Sequence, residues 1–150
     1  QDLELWMNND TPVVLVTPDN RGPRVHMNVS VDALPREFSQ LSHLNTLKLF
    51  GSKINNFANV PQSVTDLELT DNETVDDEGI QSLKHLKNLK TLVLKHNCTQ
   101  VQGRTLHELP ESLECICCFY PFAKTAEGQA VVAALRQARP QLIIHGGESH

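Results

Sequence analysis

Apolar residues recur along the chain in pairs two positions apart, each pair set between polar neighbours. The clearest instance is Leu89-Lys90-Thr91-Leu92-Val93-Leu94-Lys95-His96-Asn97, which reads L-x-x-L-x-L-x-x-N. Val64-Thr65-Asp66-Leu67-Glu68-Leu69-Thr70-Asp71-Asn72 repeats it, and Leu44 to Ser52 repeats it again with Ser in the Asn place. Leu113-Glu114-Cys115-Ile116-Cys117-Cys118 is a degenerate copy. Weaker copies are Leu3 with Leu5 before Asn8, Val25 with Met27, and Leu142 with Ile144. The middle apolar positions are 3, 25, 47, 67, 92, 116 and 142, in steps of 22, 22, 20, 25, 24 and 26 residues.

Alternation of period two predicts strands that send both apolar residues of a pair to one face. One such strand cannot bury its pair alone. Stacking successive strands in parallel builds a continuous core between the sheet and the segments that lead back to it. The Asn position falls just past each strand. An inward Asn amide there can pair backbone groups that burial would otherwise leave without partners.

The return segments read as partly helical. Between Val75 and Leu86, the residues Ile80, Leu83 and Leu86 share one helical face, with acidic residues at the start. Leu34 to Leu44 behaves similarly through Phe38, Leu41 and Leu44, and Gln102 to Leu109 is a shorter candidate. Gly51 to Ser63, with several Asn and Pro61, reads as a loop or a 3₁₀ turn. Thr125 is a candidate N-cap for a last helix whose apolar stripe is Ala130, Val131, Ala134 and Leu135 and which ends before Pro140. Gln141 to His145 then reads as a final strand. Thr11 to Pro23, with Val13 to Val16 and then a turn-rich stretch, has no place in the pattern.

These copies resemble the leucine-rich-repeat family, whose period is roughly 20–29 residues, over nearly the whole chain. Thr74 to Leu83, followed by Leu86, Leu89, Leu92 and Leu94, is similar to the ribonuclease-inhibitor-like or cysteine-containing style of repeat. F-box substrate receptors and the ATP-synthase-subunit-s-like mitochondrial proteins carry similar repeats. Val60-Pro61-Gln62-Ser63-Val64 and Leu109-Pro110-Glu111-Ser112-Leu113 instead resemble the L-P-x-S-L turns of short bacterial-effector repeats. The resemblance implies a single α/β domain over residues 1–150. It would be a leucine-rich-repeat solenoid, a curved parallel β-sheet of about seven short strands with helices and loops on the convex side. Residues 125–150 would form a C-terminal cap.

Composition narrows the function. The formal charge is −5, from 13 Lys plus Arg against 18 Asp plus Glu, which argues against the basic footprint that nucleic-acid binding needs. No apolar run approaches the roughly 18 residues of a membrane helix. No signal peptide is visible, and a chain starting at Gln1 fits a processed or excised piece. Of the four cysteines, Cys115, Cys117 and Cys118 crowd together, which is a poor disulfide framework. Reduced thiols in an intracellular, cytoplasmic setting are expected, with secreted or organellar settings left open.

In this register the concave face carries Glu4, His26, Lys48, Glu68, Val93, Cys117 and Ile143 between the paired apolar residues. Asp2, Arg24, Thr46, Asp66, Thr91, Cys115 and Gln141 precede the pair. Trp6, Asn28, Phe50, Thr70, Lys95, Phe119 and His145 follow it. The aromatics Trp6, Phe50 and Phe119 share one column, and Val93, Cys117, Ile143 and Phe119 form an apolar end, a composition typical of protein interfaces. The candidate partner-binding residues are therefore Trp6, Lys48, Phe50, Asp66, Glu68, Val93, Lys95, Cys117, Phe119, Ile143 and His145. A flanking segment or a second copy covering the patch is the competing explanation.

Catalytic and metal signatures are missing from the sequence. The seven His residues fall into no H-E-x-x-H or Ser–His–Asp arrangement, and there is no G-x-G-x-x-G or P-loop. Cys115 and Cys117, two apart on one strand, could hold zinc only with further ligands that the spacing does not supply, so no metal or cofactor is assigned. Sequons at Asn28, Asn72 and Asn97 are read as accidental at the last two, which take the inward Asn place. The expectation is a non-enzymatic scaffold or adaptor whose concave face binds a partner protein or peptide. The alternative is the substrate-recognition module of a ubiquitin-ligase or bacterial-effector system whose catalytic or F-box part lies outside this chain.

Overall fold

A computed structural model describes residues 3–5, 14–19, 22–28, 34, 36–42, 44–50, 54–70, 73–95, 101–118 and 125–145. For the strand residues before position 29, and for Glu37, Phe50, Thr70, Lys95 and Cys118, only the backbone is described. The described residues form an α/β structure around one sheet, with strands in the order of the sequence. These are β1 (Leu3–Leu5), β2 (Val14–Asp19), β3 (Gly22–Asn28), β4 (Thr46–Phe50), β5 (Asp66–Thr70), β6 (Thr91–Lys95), β7 (Cys115–Cys118) and β8 (Ile143–His145). From β3 to β8 all five pairings are parallel.

The N-terminal end departs from the sequence expectation. β1 is not the first of a parallel series. It pairs antiparallel with β2, and β2 pairs antiparallel with β3. β2 comes from the Thr11 to Pro23 stretch that the repeat pattern left unplaced. Its β-branched Val14, Val16 and Thr17 suit an extended chain. β2 and β3 are separated by residues 20–21 alone, so they meet as antiparallel neighbours, whereas a parallel neighbour needs a dozen or more connecting residues.

From β4 to β6 each strand buries its paired leucines. Leu47 and Leu49, Leu67 and Leu69, and Leu92 and Leu94 are at most 1% exposed. Ile116 and Ile144 continue the row. The return segments close over them with Phe38, Ile54, Phe57, Val75, Ile80, Leu83, Leu86, Val101 and Leu106 in one continuous cluster. Each fully buried Leu, Ile or Phe contributes about 1.5–3 kcal/mol of transfer free energy, so this layer is the main source of stability. Irregular chain over 54–57 and turns near Pro61 match the loop reading of that segment.

The helices are shorter than the pattern predicts. α1 is Asp77–Gln81, continued as a 3₁₀ turn over Ser82–His85. Further 3₁₀ turns span Arg36–Gln40 and Leu106–Glu108. Asp76 caps α1 by accepting the Gly79 N–H. α2 (Ala126–Ala138) starts at Thr125, whose hydroxyl accepts the Gly128 N–H. Its buried stripe is Gly128, Val132 and Leu135, with Val131 partly buried, while Ala130 and Ala134 are exposed. The expected stripe was rotated toward the two alanines, whose small side chains had little area to decide the orientation.

Successive turns are joined by a repeated backbone connection just before each strand. The Thr65 and Asp66 N–H groups donate to the Asn45 carbonyl at 2.8 and 3.1 Å. Those of Lys90 and Thr91 donate to Thr65 at 2.7 and 3.0 Å, and those of Glu114 and Cys115 to Lys90 at 2.8 and 3.0 Å. The inward Asn positions 72 and 97 lie outside the described residues.

Candidate functional site

The face of the sheet opposite the core holds two rows of register partners. One row runs Thr46, Asp66, Thr91, Cys115 and Ile143 across β4 to β8. The other runs Lys48, Glu68, Val93, Cys117 and His145. On β3, Arg24 and His26 continue the rows at the level of backbone register. Neighbouring strands lie about 4.8 Å apart, so adjacent residues in a row are within reach of one another. Lys48 thus neighbours Glu68, and the charged side chains Lys48, Asp66 and Glu68 at β4 and β5 give way to Thr91, Val93, the two thiols, Ile143 and His145 at β6 to β8.

The last strand is displaced from its expected register. The repeat pattern aligns Leu142 with Ile116, whereas Ile144 holds that place. Ile143 therefore neighbours Cys115 and not Cys117, and His145 neighbours Cys117. A shift of two residues keeps the period-two alternation, so Leu142 and Ile144 remain buried and Ile143 outward. Ile143 is 54% exposed, the large apolar side chain that stands out to solvent among the described residues. Gln141, expected to share a row with Cys115, precedes the strand.

Of the other candidate residues, Lys48, Asp66, Glu68, Val93 and Cys117 are half-buried on this face, and His145 is exposed. The Asp66 carboxylate accepts the Thr65 hydroxyl at 2.9 Å. Phe50 and Lys95 are placed at the ends of β4 and β6, where Phe50 partners Thr70 and Thr70 partners Lys95 in the backbone register. Trp6 and Phe119 lie outside the described residues, so the aromatic column is represented here by the Phe50 backbone position.

Cys115 was left out of the candidate binding residues and belongs with them. Its sulfur stands 3.9 Å from that of Cys117, and both are free thiols. Burial pushes the Cys115 thiol up to about 11, helped by its hydrogen bond and charge coupling to Cys117. The C-x-C spacing on a strand was the available signal, because residues two apart must share a face. Among the described residues, no group of three or more His, Cys, Asp and Glu side chains is arranged to hold a metal ion, and no helix is long and apolar enough to cross a membrane.

On the return-segment side, Gln62, Lys84, Lys87, Glu108, Glu111 and Arg139 line an open groove of about 890 Å³. Its lining mixes both charge signs. Comparison with protein-family models, with curated proteins and with solved structures finds no significant match.

Proposed function

We propose that the chain is a leucine-rich-repeat solenoid acting as a non-enzymatic scaffold, which binds a partner protein or extended peptide through the solvent face of β4 to β8. The observation that carries this reading is the contrast between the two faces. From β4 to β8 the core side repeats Leu or Ile at one equivalent place in each strand. The solvent side presents Lys48, Glu68, Val93, Cys117 and His145 in register, a different chemistry at each step. A repeated interior supporting a varied, half-buried surface is the arrangement with which repeat proteins build binding faces. Ile143 would act as the apolar anchor, and Lys48, Asp66 and Glu68 would set the polarity of the docked segment. The cytoplasm is the proposed setting.

The turns at Val60 to Val64 and Leu109 to Leu113 support keeping a second reading. In both, a buried Pro is followed by a Ser whose hydroxyl donates to a carbonyl of the preceding turn, Leu44 at 2.6 Å and Leu89 at 2.7 Å. That construction suits the short-effector style of repeat, in which the chain would select substrates for a ubiquitin-ligase activity located outside it.

Affinity capture with wild type beside Glu68→Lys and Ile143→Asp variants tests the binding face, with Glu111→Lys in the opposite groove as control. A protein retained by wild type and Glu111→Lys but lost by the two face variants, all with unchanged circular dichroism, is the expected result. Equal retention by all four chains would overturn the assignment of the face.

A further inference from the structure

We propose that Cys115 and Cys117 form a two-sulfur chelate for a soft d10 metal ion, monovalent copper by preference, on the solvent face of β7. The separation of the sulfurs is the first ground. With bonds to sulfur of about 2.3 Å, two sulfurs on one ion lie about 3.8 Å apart at a tetrahedral angle and about 4.6 Å apart when they alone hold the ion in a line. The thiols stand at 3.9 Å, so side-chain rotations that open the pair by less than about 1 Å let them share an ion in that line.

A disulfide fits the same pair poorly. Its sulfurs would have to close to about 2.0 Å, and residues two apart on a strand that rises about 3.3 Å per residue have Cα atoms at the long end of the disulfide range. The two thiols face one another because the strand alternates, and the strand also holds them apart.

The donors favour a soft ion. No third His, Cys, Asp or Glu is arranged with this pair among the described residues, whereas zinc in proteins is held by three or four protein ligands. Soft thiolate donors select monovalent copper, zinc or iron–sulfur clusters, and of these monovalent copper is the one that two sulfur donors alone can hold. Binding breaks the two S–H bonds, forms two S–Cu bonds and releases two protons to solvent, with no electron transferred. Because both thiols lose a proton on binding, uptake should strengthen as the pH rises. None of this depends on a protein partner.

The test is an anaerobic titration of the reduced full chain with monovalent copper against the chromophoric chelator bicinchoninate. Wild type and Cys98→Ser should each withhold a single ion and show sulfur-to-copper absorption in the ultraviolet. Cys115→Ser and Cys117→Ser should each bind more weakly by at least the roughly 10–100-fold that the loss of even an outer-shell partner costs a metal site. Iodoacetamide labelling of wild type, read by peptide mapping, covers the case in which a serine variant does not fold: copper should protect Cys115 and Cys117 together. Failure of wild type to withhold copper, equal retention by folded Cys115→Ser and Cys117→Ser, or labelling of both cysteines unaffected by copper would overturn the proposal.

Discussion

Asn55 and Asp76, on successive turns, hold each other by two hydrogen bonds. The Asn55 Nδ2–H donates to Asp76 Oδ1 at 3.0 Å, and Asn55 Oδ1 accepts the Asp76 N–H at 3.0 Å. Asp76 Oδ1 also accepts the Gly79 N–H at 3.0 Å, so one carboxylate caps α1 and ties it to the turn before.

This contact explains why glycine stands inside a helix at position 79. A Cβ there would lie 1.9 Å from Asn55 Oδ1 and 2.9 Å from the Asn55 carbonyl oxygen. In an exposed helix, Gly→Ala gains about 0.8–1.0 kcal/mol from propensity. Here the overlap should reverse the sign and cost about 1–3 kcal/mol. Asn55→Ala alone removes both side-chain bonds, at about 1–3 kcal/mol. The double variant should lose less than the sum, because the side-chain part of the overlap is gone while the carbonyl remains. Urea denaturation of the four chains checks this, and simple additivity would mean that α1 has moved away from Asn55.

Acid should loosen the same joint. The Asn55 amide, and next the Gly79 N–H, hold the Asp76 carboxyl below its ordinary value of 3.8. A carboxylate lowered on folding adds stability that is complete above the unfolded value and is lost as the pH falls through the folded one. The effect therefore sits below 3.8 and is flat near neutrality. Asp76→Asn keeps an N-cap acceptor of similar rank but cannot titrate. Its stability relative to wild type should be constant near about pH 7 and rise on acidification below about pH 4. Parallel curves across the acid range would show that Asp76 does not contribute to the acid limb.

The sheet from β4 to β7 was legible because Leu47, Leu67, Leu92 and Ile116 obey one rule, alternation at a steady period. Their register follows from which residues must be buried. The β8 register was not legible. Leu142 and Ile144 are both apolar and both inward, so a slip of two residues satisfies the same pattern, and backbone pairing chose Ile144. β2 was missed because its pairing depends on a short antiparallel connection and not on the repeat. Of the candidate face, the half-buried places of Lys48, Glu68 and Val93 followed from alternation. The Asn55–Asp76–Gly79 joint did not, since it depends on how closely two return segments approach.

The two serine staples offer a test of how the return segments contribute to stability. Ser63 and Ser112 occupy equivalent places, donate to different carbonyls and share no partner. Ser→Ala at either site should cost about 0.5–1.5 kcal/mol. The two losses should add within about 0.5 kcal/mol. For a chain of this size that corresponds to a fall in melting temperature of about 2–4 °C per kcal/mol. A double variant no less stable than the singles would show that the turns do not unfold as one cooperative unit.

Arg139 carries the C-terminal end. It follows α2 as its C-cap residue, and its guanidinium donates to the carbonyls of Leu109, of Pro110 at 3.1 Å and of His107 at 3.4 Å. These oxygens end the preceding return segment, so one side chain anchors α2 to the turn before it. The planar fork is required, because a lysine ammonium is a point charge that cannot reach several carbonyls with fixed geometry. Arg139→Ala should lose about 1.5–3 kcal/mol, the range for hydrogen bonds to charged groups, and Arg139→Lys should recover only part. Hydrogen exchange gives the more specific check. The Ile143 N–H, which donates to Glu114 at 2.9 Å, and the Leu142 N–H, which donates to Arg139 at 3.0 Å, should exchange faster in Arg139→Ala. The Leu86 N–H, bonded within the earlier return segment to Leu83 at 3.0 Å, should change little. Uniform acceleration at all three amides would mean that the variant only lowers global stability, and that Arg139 does not act as a local anchor for β8.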